Sequence, residues 1–555
     1  MGLPEEIAVL HDETAQLIEG NEEIIPDAFE IGENGWLYKL VQKGTGDNKE
    51  TVRKLITSTP PFITKQFKDI ENSEISYELS FGKNNHITKI PVQAIDIADT
   101  KNIINLSSKG LDVDTVNRLE VVNFISMFKR INELETEKTV SRLGHVKGRF
   151  IHPLINSDVE LVIHEDGYKR LASAFKTKGT LQDYSDTVFK QVKNSPMAMM
   201  VIYASLGSIL LNDFDVEPFI EDISGKTSTG KTTVLKVGSS VWGTNDLISE
   251  WNTTKVNVER KASMMNSFPL IYDDTRKAPV YQLADIVYQF SGGRSKGRGN
   301  IHSIDVEKTW KNILISTGET SIVEYDNGKG GMSARVITLQ DNPFNDDVDL
   351  NALYDGLENN YGHLGLAFIE QYEKHKTEYK ESFKGHAKLF VEKAGENEVM
   401  QRLGRPFALL QTSAEILNDI EGFEHDPYST VQCAYESMTK NNQSIDKPKQ
   451  LLEEIIDKLN ANRGRIAFNK HFFHDNSELM AVYKDDFILV MSPILKEILG
   501  TEFNSIIKQW YERGYLETNK EGKQKNITFY GEPYRGYAIK SEIINELGYS
   551  FKKKS

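Results

Sequence analysis

The nine residues Gly225-Lys-Thr-Ser-Thr-Gly-Lys-Thr-Thr233 fit the pattern G-x-x-x-x-G-K-[ST], and no other stretch narrows the choice of fold as far. The segment Glu217-Pro-Phe-Ile-Glu-Asp-Ile223 reads as a strand before them, and Thr232 to Ser239 reads as a helix after them. A strand, a glycine-rich turn and a helix in that order form the entry unit of a parallel α/β sheet. Gly225 and Gly230 allow a turn in which successive backbone N–H groups point at phosphate oxygens. The expected lining of an ATP site is then Gly225, Thr227, Ser228, Thr229, Gly230, Lys231, Thr232 and Thr233. Lys231 reaches the β and γ phosphates in such a loop, and the Thr232 hydroxyl holds Mg2+.

About forty residues on, the apolar run Phe268-Pro-Leu-Ile-Tyr-Asp-Asp-Thr275 ends in two carboxylates. Asp273 is expected to organise Mg2+ through water, and Asp274 to polarise the attacking water. A third apolar strand, Asn312-Ile-Leu-Ile-Ser-Thr-Gly-Glu319, ends with Ser316 and Thr317, where a hydroxyl sensing the γ-phosphate would sit. Thr317 is the catalytic candidate there. Gly330-Gly-Met-Ser-Ala-Arg-Val336 follows, and Arg335 is a candidate arginine finger, projecting from one subunit into a neighbour's site. The competing reading of Arg335 is a surface ion pair.

With 555 residues, the chain is too long for one hydrophobic core. The pattern predicts an α+β domain over 1–175, a P-loop ATPase core over 176–350, a mainly helical lid region over 351–440 and a C-terminal module over 441–555. Helices over 449–461, 493–499 and 503–513, then strands at 527–530 and 537–540, suggest a winged helix-turn-helix that binds DNA. The single cysteine, Cys433, cannot form an internal disulfide, which predicts a reducing, cytoplasmic setting. The run Pro196 to Leu211 is short of a membrane span and reads as a buried helix, so no membrane partner is expected. His471 and His474 lack further ligands at metal-binding spacing.

A net charge of −15 argues against a chain coated with basic surface. Residues 441–555 carry 18 Lys and Arg against 16 Asp and Glu, so the acidity lies upstream. Nucleic-acid contact must therefore be local. Ser291-Gly-Gly-Arg-Ser-Lys-Gly-Arg-Gly-Asn300 sits between the carboxylate strand and the sensor strand. Its Arg294, Lys296 and Arg298 on a flexible backbone suit non-specific tracking of a phosphate backbone, while the plain alternative is a solvated loop.

Together these segments resemble the MCM-like AAA+ replicative helicases and initiators of staphylococcal cassette chromosomes and pathogenicity islands. The resemblance rests on six landmarks in order: Arg142-Leu-Gly-His-Val-Lys-Gly-Arg-Phe-Ile-His-Pro153, the loop 225–233, Pro269–Asp274, Ser295-Lys-Gly-Arg298, Ser316-Thr-Gly-Glu319 and Gln401-Arg-Leu-Gly-Arg-Pro-Phe407. It implies an AAA+ core, a hexameric ring, ATP and Mg2+, and 3′ to 5′ movement along single-stranded DNA. It also implies that the winged helix engages duplex origin DNA during replication of a mobile genetic element. By the same resemblance Arg335 is the finger, Arg402 or Arg405 a second sensor, and residues 294–298 the tip of a hairpin lining the ring's pore. The chain departs from the family in having Asp274 where a glutamate is usual, one methylene shorter. Two other readings stand beside the helicase. One is a site-specific origin-binding initiator whose ATPase controls assembly. The other is a polypeptide remodeller, against which the basic segment counts by lacking an aromatic residue.

Overall fold

The computed structural model describes residues 24–551 except 46–48, 84–85, 227–229, 298–306, 327–330, 396, 442–446, 469–478 and 520–521. Thr227, Ser228, Thr229, Arg298, His471 and His474 thus lie outside the described residues. The chain divides into two compact units. The first comprises 1–325, 335–388 and 405–434, and the second 326–334, 389–404 and 435–555.

The first unit opens with antiparallel strands at Phe29–Ile31, Leu37–Lys43 and Glu50–Thr57. A five-stranded sheet follows, in which Phe62–Asp69, Ile75–Lys83 and His86–Gln93 run antiparallel. Thr136–Val140 joins it in parallel beside Phe62–Asp69. The helix Arg118–Ile131 buries Val121, Phe124, Ile125 and Phe128. Their spacing of three, four and seven residues puts all four on one helical face. Phe124 lies edge-on to Phe29 and Phe62, with ring centroids 5.3 and 6.0 Å apart. Truncating Phe124 to alanine would cost about 3–5 kcal/mol.

The centre of the unit is a five-stranded, wholly parallel sheet. Its strands are β1 (Phe219–Ser224), β2 (Ile248–Glu250), β3 (Leu270–Asp273), β4 (Ile313–Gly318) and β5 (Val336–Leu339), in the order β2-β3-β4-β1-β5. β1, β4 and β5 are buried at every position. A strand covered on both faces reads as a continuous apolar run, which is why β4 was visible in the sequence; β5, four residues long, was not read there. Glu221 and Asp222 interrupt that rule in the middle of β1, and both are fully buried.

Helices cover this sheet: α1 (Pro196–Gly207), α2 (Lys231–Ser240), α3 (Lys255–Met265) and α4 (Val280–Ser291). α1 starts with proline at its first turn, where no N–H is missed, and buries every residue from Met197 to Gly207. The helical stretch Pro196–Phe214 is long and apolar enough to cross a membrane, yet 89% of it is buried inside the protein. A helix apolar all round is what such a central position requires. α2 packs closely on α1, since a Cβ at Gly238 would lie 2.7 Å from Val201.

Past the sheet come the helices Leu350–Asn359, His363–Lys374, Lys376–Ala394, Glu398–Asn418 and Pro427–Asn441.

In the second unit, helices Lys447–Ala461, Ser492–Leu499 and Phe503–Glu512 share one core through Leu452, Ile455, Leu495, Ile506 and Trp510. The Trp510 indole N–H donates to the Pro448 carbonyl at 2.8 Å. The expected strands near 527–530 and 537–540 are Lys525–Phe529 and Glu532–Lys540, an antiparallel pair. They belong to a larger sheet containing Ala481–Lys484 and Phe487–Met491, two strands absent from the sequence reading.

Candidate nucleotide site

β3, β4 and β1 are neighbours, so their C-terminal ends open side by side on one edge of the sheet. Crevices beyond the carboxyl ends of such strands are where α/β folds bind ligands. Three sequence motifs arrive there together. β1 leads into the glycine loop, β3 ends in Asp273 and Asp274, and β4 ends in Thr317 and Gly318. The Gly225 amide donates to the Gly318 carbonyl at 3.2 Å, joining the first loop to the third strand.

The loop needs its second glycine twice over. Gly230 caps α2 with φ +91°, and a Cβ there would lie 2.9 Å from the Phe344 ring. The Lys231 ammonium donates to the carbonyls of Gly225 at 2.9 Å and Lys226 at 2.5 Å. Burial lowers its pKa, and the carboxylates of Glu319, Asp273 and Asp274 act in the opposite direction. The Arg276 guanidinium adds to the lowering, so the net shift is downward.

Asp273 is the hub. The Thr232 hydroxyl donates to its Oδ2 at 2.9 Å, and the Thr317 hydroxyl donates to its Oδ1 at 2.6 Å. Thr317 Oγ1 in turn accepts the Asp274 amide at 3.2 Å. One carboxylate is thus fixed between the helix after the loop and the end of β4. Trp251 locks the same corner: its amide donates to the Asp273 carbonyl at 3.1 Å, and its indole N–H to Ser316 Oγ at 3.1 Å.

Asp274 stands apart from Asp273. Its backbone is left-handed, φ 64°, and Arg276 grips its carboxylate at 2.9 and 3.2 Å. Arg276 also bonds Glu319 at 2.7 Å. The Arg276 hydrogen bonds hold the Asp274 pKa below the usual carboxylate range. An open recess of about 390 Å³ adjoins the loop, lined by Ser224, Gly225, Lys226, Glu319 and Gln340 among others.

The remaining expected residues lie elsewhere. The Thr233 hydroxyl pairs with Tyr354 OH at 2.7 Å. Arg335 sits just before β5, its carbonyl accepting from Ile220 N at 3.0 Å and its guanidinium over the Tyr288 ring at 5.0 Å. That is the N-terminal edge of the sheet, opposite the loop. Arg405 donates to the carbonyls of Phe214 at 2.6 Å and Asp215 at 3.0 Å, and stacks on Phe383. Arg402 falls in the second unit. Arg294 pairs with Thr309 across an antiparallel bridge, and the Ser295 amide donates to the Lys308 carbonyl at 2.8 Å. Arg294 and Lys296 therefore leave α4 on one arm of a paired stem. Arg276, Glu319 and Trp251 were missed by the sequence reading. Position beside DD and STG was the only signal for Arg276 and Glu319, and Trp251 had none.

This donor set fits a nucleoside triphosphate and its cation. Thr232 Oγ1 and Asp273 Oδ2 are adjacent oxygens of the hard type that Mg2+ prefers, and an ion that retains several waters needs few protein ligands. Among the described residues no group of three or more His, Cys, Asp or Glu could hold a metal.

The family model described as a domain of unknown function, DUF927, matches residues 29–309, just over half of the chain. A solved structure described as "SCCmec type IV Cch - active helicase" superposes with a TM-score of 0.72 at 18% identity, covering 95% of this chain and 100% of that one. That likeness is one of fold. The apo C-terminal region of NrS-1 gives a TM-score of 0.29 at 10% identity, over 85% of this chain and 95% of that one, too low to carry an argument. No curated protein matches by sequence. By the extent of the family match, the chain belongs to the DUF927 family.

Proposed function

We propose that the chain is an ATP-driven DNA helicase that assembles as a hexameric AAA+ ring and acts in replication of a mobile genetic element. One observation carries the ATPase half: Asp273 is held by Thr232 on one side and Thr317 on the other, at the mouth of the glycine loop. The fold shared with a protein described as an active helicase supports the rest.

In this reading Lys231 leaves the loop carbonyls for the β and γ phosphates. Mg2+ held near Thr232 and Asp273 would neutralise charge on the phosphate oxygens. Asp274 orients the attacking water; with its basicity lowered by Arg276, it positions the water more than it takes the proton. Thr317 couples the two aspartates, so a shift of β4 moves both. Arg335 is assigned to a neighbouring subunit's site as the finger, Arg294 and Lys296 to single-stranded DNA, and the 441–555 module to a winged helix on duplex origin DNA. Arg405 is assigned to the second sensor, a role it can take only by giving up the Phe214 and Asp215 carbonyls.

The test is unwinding of forked DNA carrying either a 3′ or a 5′ single-stranded tail, with ATP and a Lys231→Ala control. Unwinding of the 3′-tailed fork, lost in the variant, is the expected result. ATP hydrolysis with neither fork unwound would replace the helicase by an origin-binding initiator whose ATPase controls assembly.

A further inference from the structure

The landmark that closes the N-terminal domain, 142–153, takes no part in the nucleotide site, yet its first residue is anchored with unusual care. The Arg142 side chain is only 15% exposed. Its Nε donates to Glu71 Oε2 at 2.8 Å, and Nη2 pairs with the other Glu71 oxygen. Its Nη1 donates to the Thr309 carbonyl at 2.7 Å and reaches Asn266 Oδ1 at 3.4 Å. One guanidinium therefore joins three segments. Glu71 follows the N-terminal strand Phe62–Asp69, Asn266 is in the turn that feeds β3 and Asp273, and Thr309 is bridged to Arg294 at the base of the basic stem.

The residues around it are built to keep that joint. Asn266, with φ 53°, donates through Nδ2 to the carbonyls of Leu143 at 2.9 Å and His145 at 2.8 Å. The Leu143 amide donates to the Met264 carbonyl at 2.9 Å. Gly144 has φ +73°, and a Cβ on it would fall 2.5 Å from Ser267 Oγ. The Lys311 amide, two residues past Thr309, donates to the Asn266 carbonyl at 3.0 Å. A lysine at 142 would supply one point charge where the planar fork serves a carboxylate, an amide oxygen and a backbone carbonyl together.

We propose that Arg142 is a positioning residue for the basic stem, fixing Arg294 and Lys296 relative to the strand that carries Asp273 and tying both to the N-terminal sheet. Its consequence for DNA rests on the reading of the stem as a DNA contact. The Glu71 carboxylate anchors the fork, so a change at either partner releases the Thr309 carbonyl.

The test is hydrogen exchange on the full chain without nucleotide or DNA, comparing the parent with Arg142→Lys, Arg142→Gln and Glu71→Gln. Peptides containing Ser295 and Trp310, whose amides pair across the stem, should exchange about tenfold faster in all three variants, with β1 and α2 peptides unchanged. Unchanged stem exchange overturns the proposal. So does faster exchange spread evenly over β1 and α2, which would make Arg142 a general structural residue. Single-stranded oligonucleotide binding is measured on the same proteins and is expected to weaken about fivefold, with DNA-free ATP turnover preserved. A loosened stem with unaltered oligonucleotide affinity supports the positioning role and removes the DNA reading of the stem, so the two failures are distinct.

Discussion

Replacing Thr317 by valine tests the hub of the site with almost no change in shape. Thr317 is 1% exposed, and its hydroxyl makes two bonds, a donation to Asp273 Oδ1 and an acceptance from the Asp274 amide. Valine removes both, and leaves a backbone N–H facing a methyl group. A hydrogen bond to a charged group contributes about 1.5–3 kcal/mol. If that energy is expressed in the transition state, where Asp273 and Asp274 must hold their places, turnover falls about 10- to 150-fold at roughly 1.4 kcal/mol per decade. Nucleotide affinity should change far less, because Lys231 and the loop amides are untouched. Steady-state ATP hydrolysis with a parallel titration of a non-hydrolysable analogue separates the two quantities, and Thr317→Ser, which keeps the hydroxyl, should recover most of the turnover. A valine variant within twofold of the parent in turnover, with unaltered melting, would refute the claim that Thr317 couples the aspartates.

The finger assignment predicts that Arg335→Ala and Lys231→Ala proteins are each inactive and that mixing them restores part of the hydrolysis, scored by phosphate release; no recovery at any ratio would reject action between subunits. Lys296→Ala should weaken single-strand binding and flatten its dependence on salt while DNA-free hydrolysis persists, as measured by fluorescence anisotropy across a salt series. Burial raises the Glu221 pKa to about 8 from 4.5, and neither of its carboxylate oxygens has a hydrogen-bond partner among the described residues. The folded chain then holds a proton that the unfolded chain releases, so this contribution to stability is full below about pH 4.5 and is lost as pH rises through about 8. Glu221→Gln should therefore reduce the fall in melting temperature on the alkaline side and melt above the parent at about pH 9. Asp222, raised to about 7 by burial, keeps a residual slope. An unchanged pH profile would show that Glu221 does not titrate in that window.

The glycine loop, β3 and β4 were legible because each combines a local pattern with a chemical constraint. Gly230 must adopt a left-handed backbone beside Phe344, and β3 and β4 carry apolar runs because they lie between helices. Their order in the sheet was not legible. Nothing between residues 219 and 318 says that β4 inserts between β1 and β3, because register across parallel strands is set by distant packing. Arg276 was overlooked because an arginine two residues after an aspartate looks like any surface charge; only the left-handed turn at Asp274 brings it back onto that carboxylate. In the second unit, Phe487–Met491 is five apolar residues running directly into the helix Ser492–Leu499, and a run that short is ambiguous between strand and helix. The segment 142–153 was recognised as a landmark without a role, since its partners at 71, 266 and 309 are far away in sequence.

Arg335 stands level with the start of β1, and the loop leaves from its end. The hydrogen-bonded pairing of Ile220 with Val336 through Ile223 with Leu339 fixes that separation at roughly 20 Å, taking about 3.3 Å per residue. No rotamer of an arginine spans such a gap, and no hinge within a paired strand can close it. If this guanidinium serves catalysis, a solitary chain is inert however well it folds. Output per molecule should then climb with protein concentration and level off once every chain has a neighbour, so that dilution alone switches the protein off.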